Sequence, residues 1–358
     1  MQNTPTNTEH FATLEEILSQ PAVWQAALAE QEENPATRAI LEQTKARTEW
    51  LFLGCGTSYY LAEAAASSWT TLTGQRARAL PASEPLLFTD LAYTKVSGLQ
   101  SVIISRSGHT SEAVRAASLL SRQLLVPTLG ITCTADSALE QACDQTIRIS
   151  AANEKSWVMT RSFSTMLLAL QHLAARKAER LDFLEGLQRM AVHCEGQIQS
   201  MARRVEAFVD QQAFADFVFL GQGPFHGIAR EGALKVMEMS CSYSQVFHTL
   251  EFRHGPKAVV SPETCLTFLL SETAAKAECE VLAEMKELGG VTVAVCNRAS
   301  DAIRRSSDLV CELGFDGPEL ATLAPSVVPS QLLGFFAGIK KRLNPDEPKN
   351  LSRVVILG

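Results

Sequence analysis

The chain has 358 residues, 46% hydrophobic and 20% charged, which is globular composition with room for two domains. Its net charge of −7 supplies no basic field to gather phosphates, which argues against a nucleic-acid partner. No apolar run reaches the roughly 18 residues of a membrane span, and the start, MQNTPTNTEHFA, lacks the basic and apolar regions of a signal peptide.

Nine cysteines, none in a CxxC pair, fall mostly in apolar segments such as those holding Cys133, Cys241, Cys265 and Cys296. They read as reduced, buried thiols of a cytoplasmic protein. No HExxH or comparable spacing marks a zinc or calcium site, so neither metal nor cofactor is expected.

Residues 1–12 are polar and read as a disordered start. From Thr13 to about Lys45 the pattern is helical, with Leu14, Ile17 and Leu18, then Val23, Ala27 and Leu28 beyond Pro21. Trp50 to Leu53 is a short apolar run ending in Gly54-Cys-Gly-Thr-Ser58, and an alanine-rich helix follows from Leu61 to Trp69. Arg76 to Leu80 reads as a second strand. Ser101 to Ile104 reads as a third, running into Ser105-Arg-Ser-Gly-His-Thr110 with a helix from Ser111. A strand at Pro127 to Cys133, a helix at Ser137 to Cys143 and a strand at Gln145 to Ile149 complete the half. Strands alternating with helices predict a parallel α/β sheet covered on both faces.

Met159 to about Phe208 is helical with few breakers and reads as a linker. The rhythm then restarts. Phe217 to Leu220 leads into Gly221-Gln-Gly-Pro224 and a helix, Leu266 to Leu270 ends in Ser271-Glu-Thr273, and Val291 to Val295 and Asp308 to Leu313 follow. Gly54 and Gly221 are 167 positions apart, Ser105 and Ser271 are 166 apart, and Asp144 and Asp308 are 164 apart. One near-constant offset across three landmarks predicts a duplicated domain.

Doubly wound sheets bind ligands beyond the C-terminal ends of their strands. The loops at Gly54–Ser58 and Ser105–Thr110 stand there, rich in hydroxyls and each opening a helix whose N-terminus favours an anion. Neither is a Walker loop or a dinucleotide fingerprint, and each alone is matched by an ordinary turn or helix cap. Together they point to a small phosphate monoester held without metal. In the second half, Glu231, Lys235 and Glu238 lie at i, i+4 and i+7 and so share one helical face, and Arg253 and His254 follow in a loop closed by Pro256. Most such faces are merely solvated, but a carboxylate, an ammonium and an imidazole are the parts of proton transfer near neutral pH.

Five motifs occur in order: Gly54-Cys-Gly-Thr-Ser58, Ser105-x-Ser-Gly-x-Thr110, Glu231-Gly-Ala-Leu-Lys235-x-x-Glu238, Arg253-His-Gly-Pro256 and Asn344-Pro-Asp-Glu-Pro-Lys-Asn-Leu351. The set resembles the double sugar isomerase (SIS) domain family. That family includes the isomerase half of glutamine–fructose-6-phosphate aminotransferase and free-standing amino-sugar-phosphate deaminases and ketose/aldose isomerases. The resemblance implies two tandem SIS domains, each a flavodoxin-like parallel sheet flanked by helices. They are expected at 13–155 and 209–343, with a helical linker at 156–208 and a tail at 344–358 closing over the active site.

The resemblance also implies roles. Ser105, Ser107 and Thr110 would hold a sugar 6-phosphate, with Arg106 in the same loop, and Thr57 and Ser58 would face the sugar. Glu238 would move a proton between C1 and C2 with Lys235 assisting, Glu231 would order the site, and His254 would open the ring. In the family that histidine comes from a neighbouring subunit, which implies a homodimer with a shared site. The chain begins Met1-Gln2-Asn3 without a glutaminase domain, so glutamine-dependent synthesis is not expected of it alone. The family's synthases carry a Schiff-base lysine where this sequence has Arg353, and a guanidinium stays protonated and forms no imine. Arg353 would then contact substrate or only close the tail.

The expected function is a cytoplasmic phosphosugar isomerase of amino-sugar metabolism, releasing ammonia if the sugar is aminated. A fructosamine-6-phosphate deglycase and a plain aldose/ketose isomerase are the enzymatic alternatives. A sugar-phosphate-sensing regulatory module is the non-enzymatic one.

Overall fold

A computed structural model describes residues 11–93 and 98–357, without the Glu33 side chain. Residues 1–10 of the expected disordered start lie outside the described residues. The chain opens with α1 (Ala12–Leu18), α2 (Gln20–Glu33) and α3 (Pro35–Gln43). Then follow β1 (Glu49–Gly54), α4 (Thr57–Thr73), β2 (Arg76–Pro81), α5 (Glu84–Leu87), α6 (Thr89–Ala92), β3 (Leu99–Ile104), α7 (Ser111–Ser118), β4 (Thr128–Thr132), α8 (Ala138–Ala142) and β5 (Gln145–Arg148). Three helices come next, α9 (Arg161–Lys177), α10 (Leu181–His193) and α11 (Gln197–Gln211). The second series is β6 (Asp216–Gly221), α12 (Pro224–Ser240), β7 (Ser244–His248), β8 (Thr264–Leu269), α13 (Ala275–Glu287), β9 (Val291–Cys296), α14 (Asp301–Arg305) and β10 (Leu309–Glu312). The last helices are α15 (Leu323–Ser326) and α16 (Val328–Lys340).

The chain divides into two compact units. The first comprises residues 21–153, 161–193 and 354–358, and the second residues 1–20, 154–160 and 194–353. The helical stretch read as a linker is thus divided, α9 and α10 belonging to the first unit and α11 to the second.

In the first unit five parallel strands run in the order β2-β1-β3-β4-β5. β1 is apolar from Trp50 to Leu53 because both its faces are covered there. Trp50 and Phe52 point one way, to Trp69 of α4 at ring separations of 4.1 and 5.7 Å. Leu51 and Leu53 point the other way, into a core with Ala113, Ala116 and Ala117 of α7. In the second unit the order is β10-β9-β8-β6-β7, the same winding read from the other edge. β7 is an edge strand with a mixed half-exposed sequence, and periodicity did not separate it from the loop after α12.

The duplication is visible in atomic detail. Gly56 has φ 53° and ψ −126°, and Gly223 has φ 54° and ψ −128°. Asp144 accepts from Thr128 N and Oγ1 at 2.8 and 2.9 Å, and Asp308 accepts from Thr292 N and Oγ1 at 2.8 and 3.2 Å. The aspartates are one landmark pair of the sequence offset, and the glycines each stand two positions after another, Gly54 and Gly221.

In the second unit α12 lies against α16 at backbone contact. A Cβ on Gly334 would stand 2.7 Å from the Lys235 carbonyl oxygen, and one on Gly338 would stand 2.3 Å from that of Met239. The helical stretch 319–340 is long and apolar enough by composition to cross a membrane, more than the sequence reading allowed. Its apolar window is 94% buried within the protein, so it serves as a core helix. Among the cysteines, Cys133, Cys265 and Cys296 are buried and free as expected. Cys241 is a correction, because it is exposed in the left-handed region at φ 49°, ending α12.

The tail is held at both ends. Asp346 caps α1, accepting from Ala12 N at 3.0 Å, Thr13 N at 2.8 Å and Thr13 Oγ1 at 2.7 Å, while its carbonyl accepts from Trp157 N at 2.9 Å. Farther on, in the first unit, Leu357 N donates to Ser111 Oγ at 2.9 Å. Asp346→Ala is expected to lower the unfolding free energy by about 1–3 kcal/mol in urea titrations, since it strands buried cap donors. Asp316→Ala, at a side chain 96% exposed, should change it by less than about 0.5 kcal/mol.

Candidate active site

α12 begins with Pro224 in its first turn, where a missing N–H costs nothing. Unlike most such faces, this one is not solvated, for Glu231 and Lys235 are completely buried. Lys235 Nζ lies 3.3 Å from Glu231 Oε1 and 2.5 Å from Glu238 Oε2. Burial works to lower the pKa of this ammonium, but the charges of Glu231 and Glu238 and their hydrogen bonds outweigh it and hold it above its ordinary value. Glu238 differs from its neighbours in being 18% exposed, so its carboxylate combines a buried cationic partner with access from outside. That is the arrangement a carboxylate needs to take and return a proton at carbon.

His254 sits beyond β7, in a loop pinned from beneath. Phe252 is fully buried in the sheet core. Glu284 of α13 clamps both sides, accepting from Arg253 Nε at 2.7 Å and Lys257 Nζ at 2.6 Å, and those bonds hold its carboxyl below the usual range. The His254 N–H donates to the Glu251 carbonyl at 3.0 Å, and the residue itself is exposed. Among the described residues no hydrogen bond joins the His254 ring to the α12 charges. The structure brings Glu231, Lys235 and Glu238 together and leaves the imidazole facing outward.

In the first unit, Gly54 lets α4 start against β1, because a Cβ there would be 2.3 Å from the Ser58 backbone. Thr57 and Ser58 occupy the first turn of α4 and are nearly buried. Ser105 continues β3, its N–H donating to the Ile131 carbonyl at 3.0 Å. Its Oγ accepts from Gly108 N at 3.2 Å and donates to Thr110 Oγ1 at 3.2 Å, and Ser107 Oγ accepts from His109 N at 3.1 Å. Gly108 has φ +65°, and a Cβ there would be 2.3 Å from Ser137 Oγ. The three expected hydroxyl residues, Ser105, Ser107 and Thr110, thus share one tight loop before α7, as an anion cradle requires. Arg106 is nearly buried, its carbonyl accepting from Cys133 N at 3.0 Å.

Arg353 donates through Nη2 to the Glu154 carbonyl, and the Glu154 carboxylate accepts from Thr160 N at 2.7 Å and Oγ1 at 2.9 Å. Of the two roles left open for Arg353, this contact favours holding the tail. A cavity of about 500 Å³ in the first unit lies at the other end of the strands, beside the starts of β3, β4 and β5, lined by Gln100, Thr128, Asp144 and Gln145 among others, and carries no acid/base set. Among the described residues no group of three or more His, Cys, Asp or Glu is placed to hold a metal ion. Sequence reasoning missed Glu284, whose partners lie 27 and 31 positions away and leave no local signal.

Two outcomes test this geometry. Lys235→Met takes the ammonium from the fully buried Glu231 carboxylate and is expected to cost about 3–5 kcal/mol in denaturant unfolding. Gly108→Ala must displace the loop, and phosphate-ester affinity by calorimetry should fall at least roughly tenfold while the far-UV spectrum persists.

The family model described as SIS domain matches residues 44–176 and 216–330, one segment in each sheet. The chain is 31% identical to a Streptomyces coelicolor protein named as a candidate D-galactosamine-6-phosphate deaminase, AgaS, across 96% of this chain and 93% of that one. It is 28% identical to the glutamine–fructose-6-phosphate aminotransferase of Pyrobaculum aerophilum over 97% of this chain, and spans 57% of that relative's length. Among solved structures, it resembles a Thermotoga maritima glucosamine-6-phosphate deaminase with TM-score 0.78 and 28% identity, over 97% of this chain and all of that one. A tagatose-6-phosphate ketose/aldose isomerase from Escherichia coli shares the fold with TM-score 0.85 at 22% identity, over all of this chain and 99% of that one. The chain belongs to the SIS domain family and carries two copies of the domain.

Proposed function

We propose that this protein is a phosphosugar isomerase/deaminase, and more narrowly an amino-sugar-6-phosphate deaminase. The observation that carries the proposal is the buried Glu231–Lys235–Glu238 set, with only the Glu238 carboxylate open to an incoming molecule. Support for the narrower reading comes from the full-length likeness to proteins named as galactosamine- and glucosamine-6-phosphate deaminases.

Each residue has a task. Ser105, Ser107 and Thr110 bind the 6-phosphate through hydroxyls and loop N–H groups, with Arg106 closing the loop and Thr57 and Ser58 contacting the sugar. His254 protonates the ring oxygen as the ring opens. The proton on C2 of the open aldose is acidified by the C1 carbonyl, and Glu238 takes it and returns it at C1. Lys235 positions the Glu238 carboxylate through its hydrogen bond, and Glu231 holds the same ammonium from the other side. An amine on C2 thereby becomes a ketose imine, which water hydrolyses to a ketose and ammonia. With a hydroxyl on C2 the same steps give plain isomerisation. Arg353 forms no imine, so the nitrogen chemistry is the substrate's own.

We further propose a cytoplasmic homodimer in which His254 serves the neighbouring subunit. Its outward position and the nine free thiols support this reading.

Purified protein supplied with glucosamine-6-phosphate and galactosamine-6-phosphate should release ammonia from at least one of them. Glu238→Gln should lower the rate by roughly 10²–10⁴. Ammonia from neither sugar, with turnover of an unaminated aldose phosphate, would establish isomerisation instead. Mixing His254→Ala with Glu238→Gln protein should restore part of the activity; no recovery despite subunit exchange rules out a shared site.

A further inference from the structure

The second unit repeats the loop that opens the first unit's phosphate cradle. β8 runs out into Ser271 as β3 runs out into Ser105, and in both halves a glutamate follows seven positions later, Glu112 and Glu278. The charge of the loop is reversed, however. Arg106 follows Ser105, whereas Glu272 follows Ser271.

The donors of the second loop are also already engaged. Glu278, completely buried, accepts from Ser271 N at 2.8 Å and Ser271 Oγ at 2.7 Å. Glu319 reaches the same loop from the turn before α15. Its Oε1 accepts from Thr273 N at 3.1 Å and from Glu272 N, and its Oε2 accepts from Thr273 Oγ1 at 2.5 Å. Two main-chain N–H groups and a hydroxyl converging on one carboxylate, ahead of α13, are the donor set that holds a phosphate at a helix N-terminus. The fit to an anion is thus observed with the protein's own carboxylate in it.

We infer that the Ser271–Ala274 loop is a duplicated anion cradle that the chain keeps filled with its own Glu319, so that it takes no phosphate ester there. The likeness to the first cradle rests on the proposed role of the Ser105 loop; the occupancy by Glu319 does not. A phosphate arriving at this loop would meet the Glu319 carboxylate already seated on its donors. A like-charge pair 4 Å apart costs about 4 kcal/mol at an effective dielectric constant of 20. It would also compete with a carboxylate tethered in place, at an effective concentration of about millimolar or more.

The test uses the full chain with Ser105→Ala, Ser107→Ala and Thr110→Ala as parent, and inorganic phosphate as probe, followed by calorimetry and phosphorus NMR. The parent should show no phosphate at the second loop. Adding Glu319→Ala should raise phosphate affinity at least roughly tenfold, and a further Thr273→Ala should abolish the gain. Because the gain is measured against the parent, it is independent of whether the Ser105 loop binds phosphate. No gain in a folded Glu319→Ala protein overturns the inference, as does Thr273-dependent phosphate binding with Glu319 in place. If Glu319→Ala does not fold, Glu319→Gln keeps the shape without the charge. Phosphate should then raise its melting temperature more than the parent's, and an equal response overturns the inference.

Discussion

Everything proposed for this protein depends on one ammonium placed where water cannot reach it. Lys235 is buried to the last atom between two carboxylates of its own helix, and each partner is indispensable to the others. An unpaired charge at that depth would be expelled or neutralised. With both carboxylates present the lysine stays protonated, and the set becomes a fixed dipolar unit with one open end. That end is Glu238, which gives the helix a chemically directed face.

The burial is produced elsewhere in the sequence. Gly334 and Gly338 let α16 press against the backbone of α12 at Lys235 and Met239, and the apolar composition of 319–340 follows from that position. Glu284 performs a similar service for the His254 loop, joining two half-buried cations into a clamp that leaves the imidazole outward. The same fold unit was used twice, with matching glycine conformations and matching Asp–Thr pairs at the strand starts. Its two copies then diverged at one loop. Arg106 accompanies the serines of the first, whereas Glu278 and Glu319 take up the Ser271 and Thr273 donors of the second.

Several of these features were legible in the sequence. Strands covered on both faces show as unbroken apolar runs, so β1, β3, β6, β8 and β9 were readable, as was the offset that pairs Gly54 with Gly221. The i, i+4, i+7 spacing placed Glu231, Lys235 and Glu238 on one face, but spacing is silent on whether a face is wet or dry. That answer came from glycines about 100 positions away. β7 was lost because an edge strand need not alternate cleanly, and Cys241 misled because an apolar neighbourhood in sequence can end a helix at the surface. Asp346, Glu284 and Glu319 act across long separations and leave no local pattern.

The account's central claim is that Glu238 carries the proton between C1 and C2. The most direct measurement is deuterium incorporation at the carbon-bound positions of an amino-sugar 6-phosphate in D₂O, followed by proton NMR. Wild type should exchange deuterium into C1 of the ketose product or C2 of the remaining substrate, and Glu238→Gln should not, while still binding the sugar phosphate. Exchange at an undiminished rate in Glu238→Gln would contradict the account.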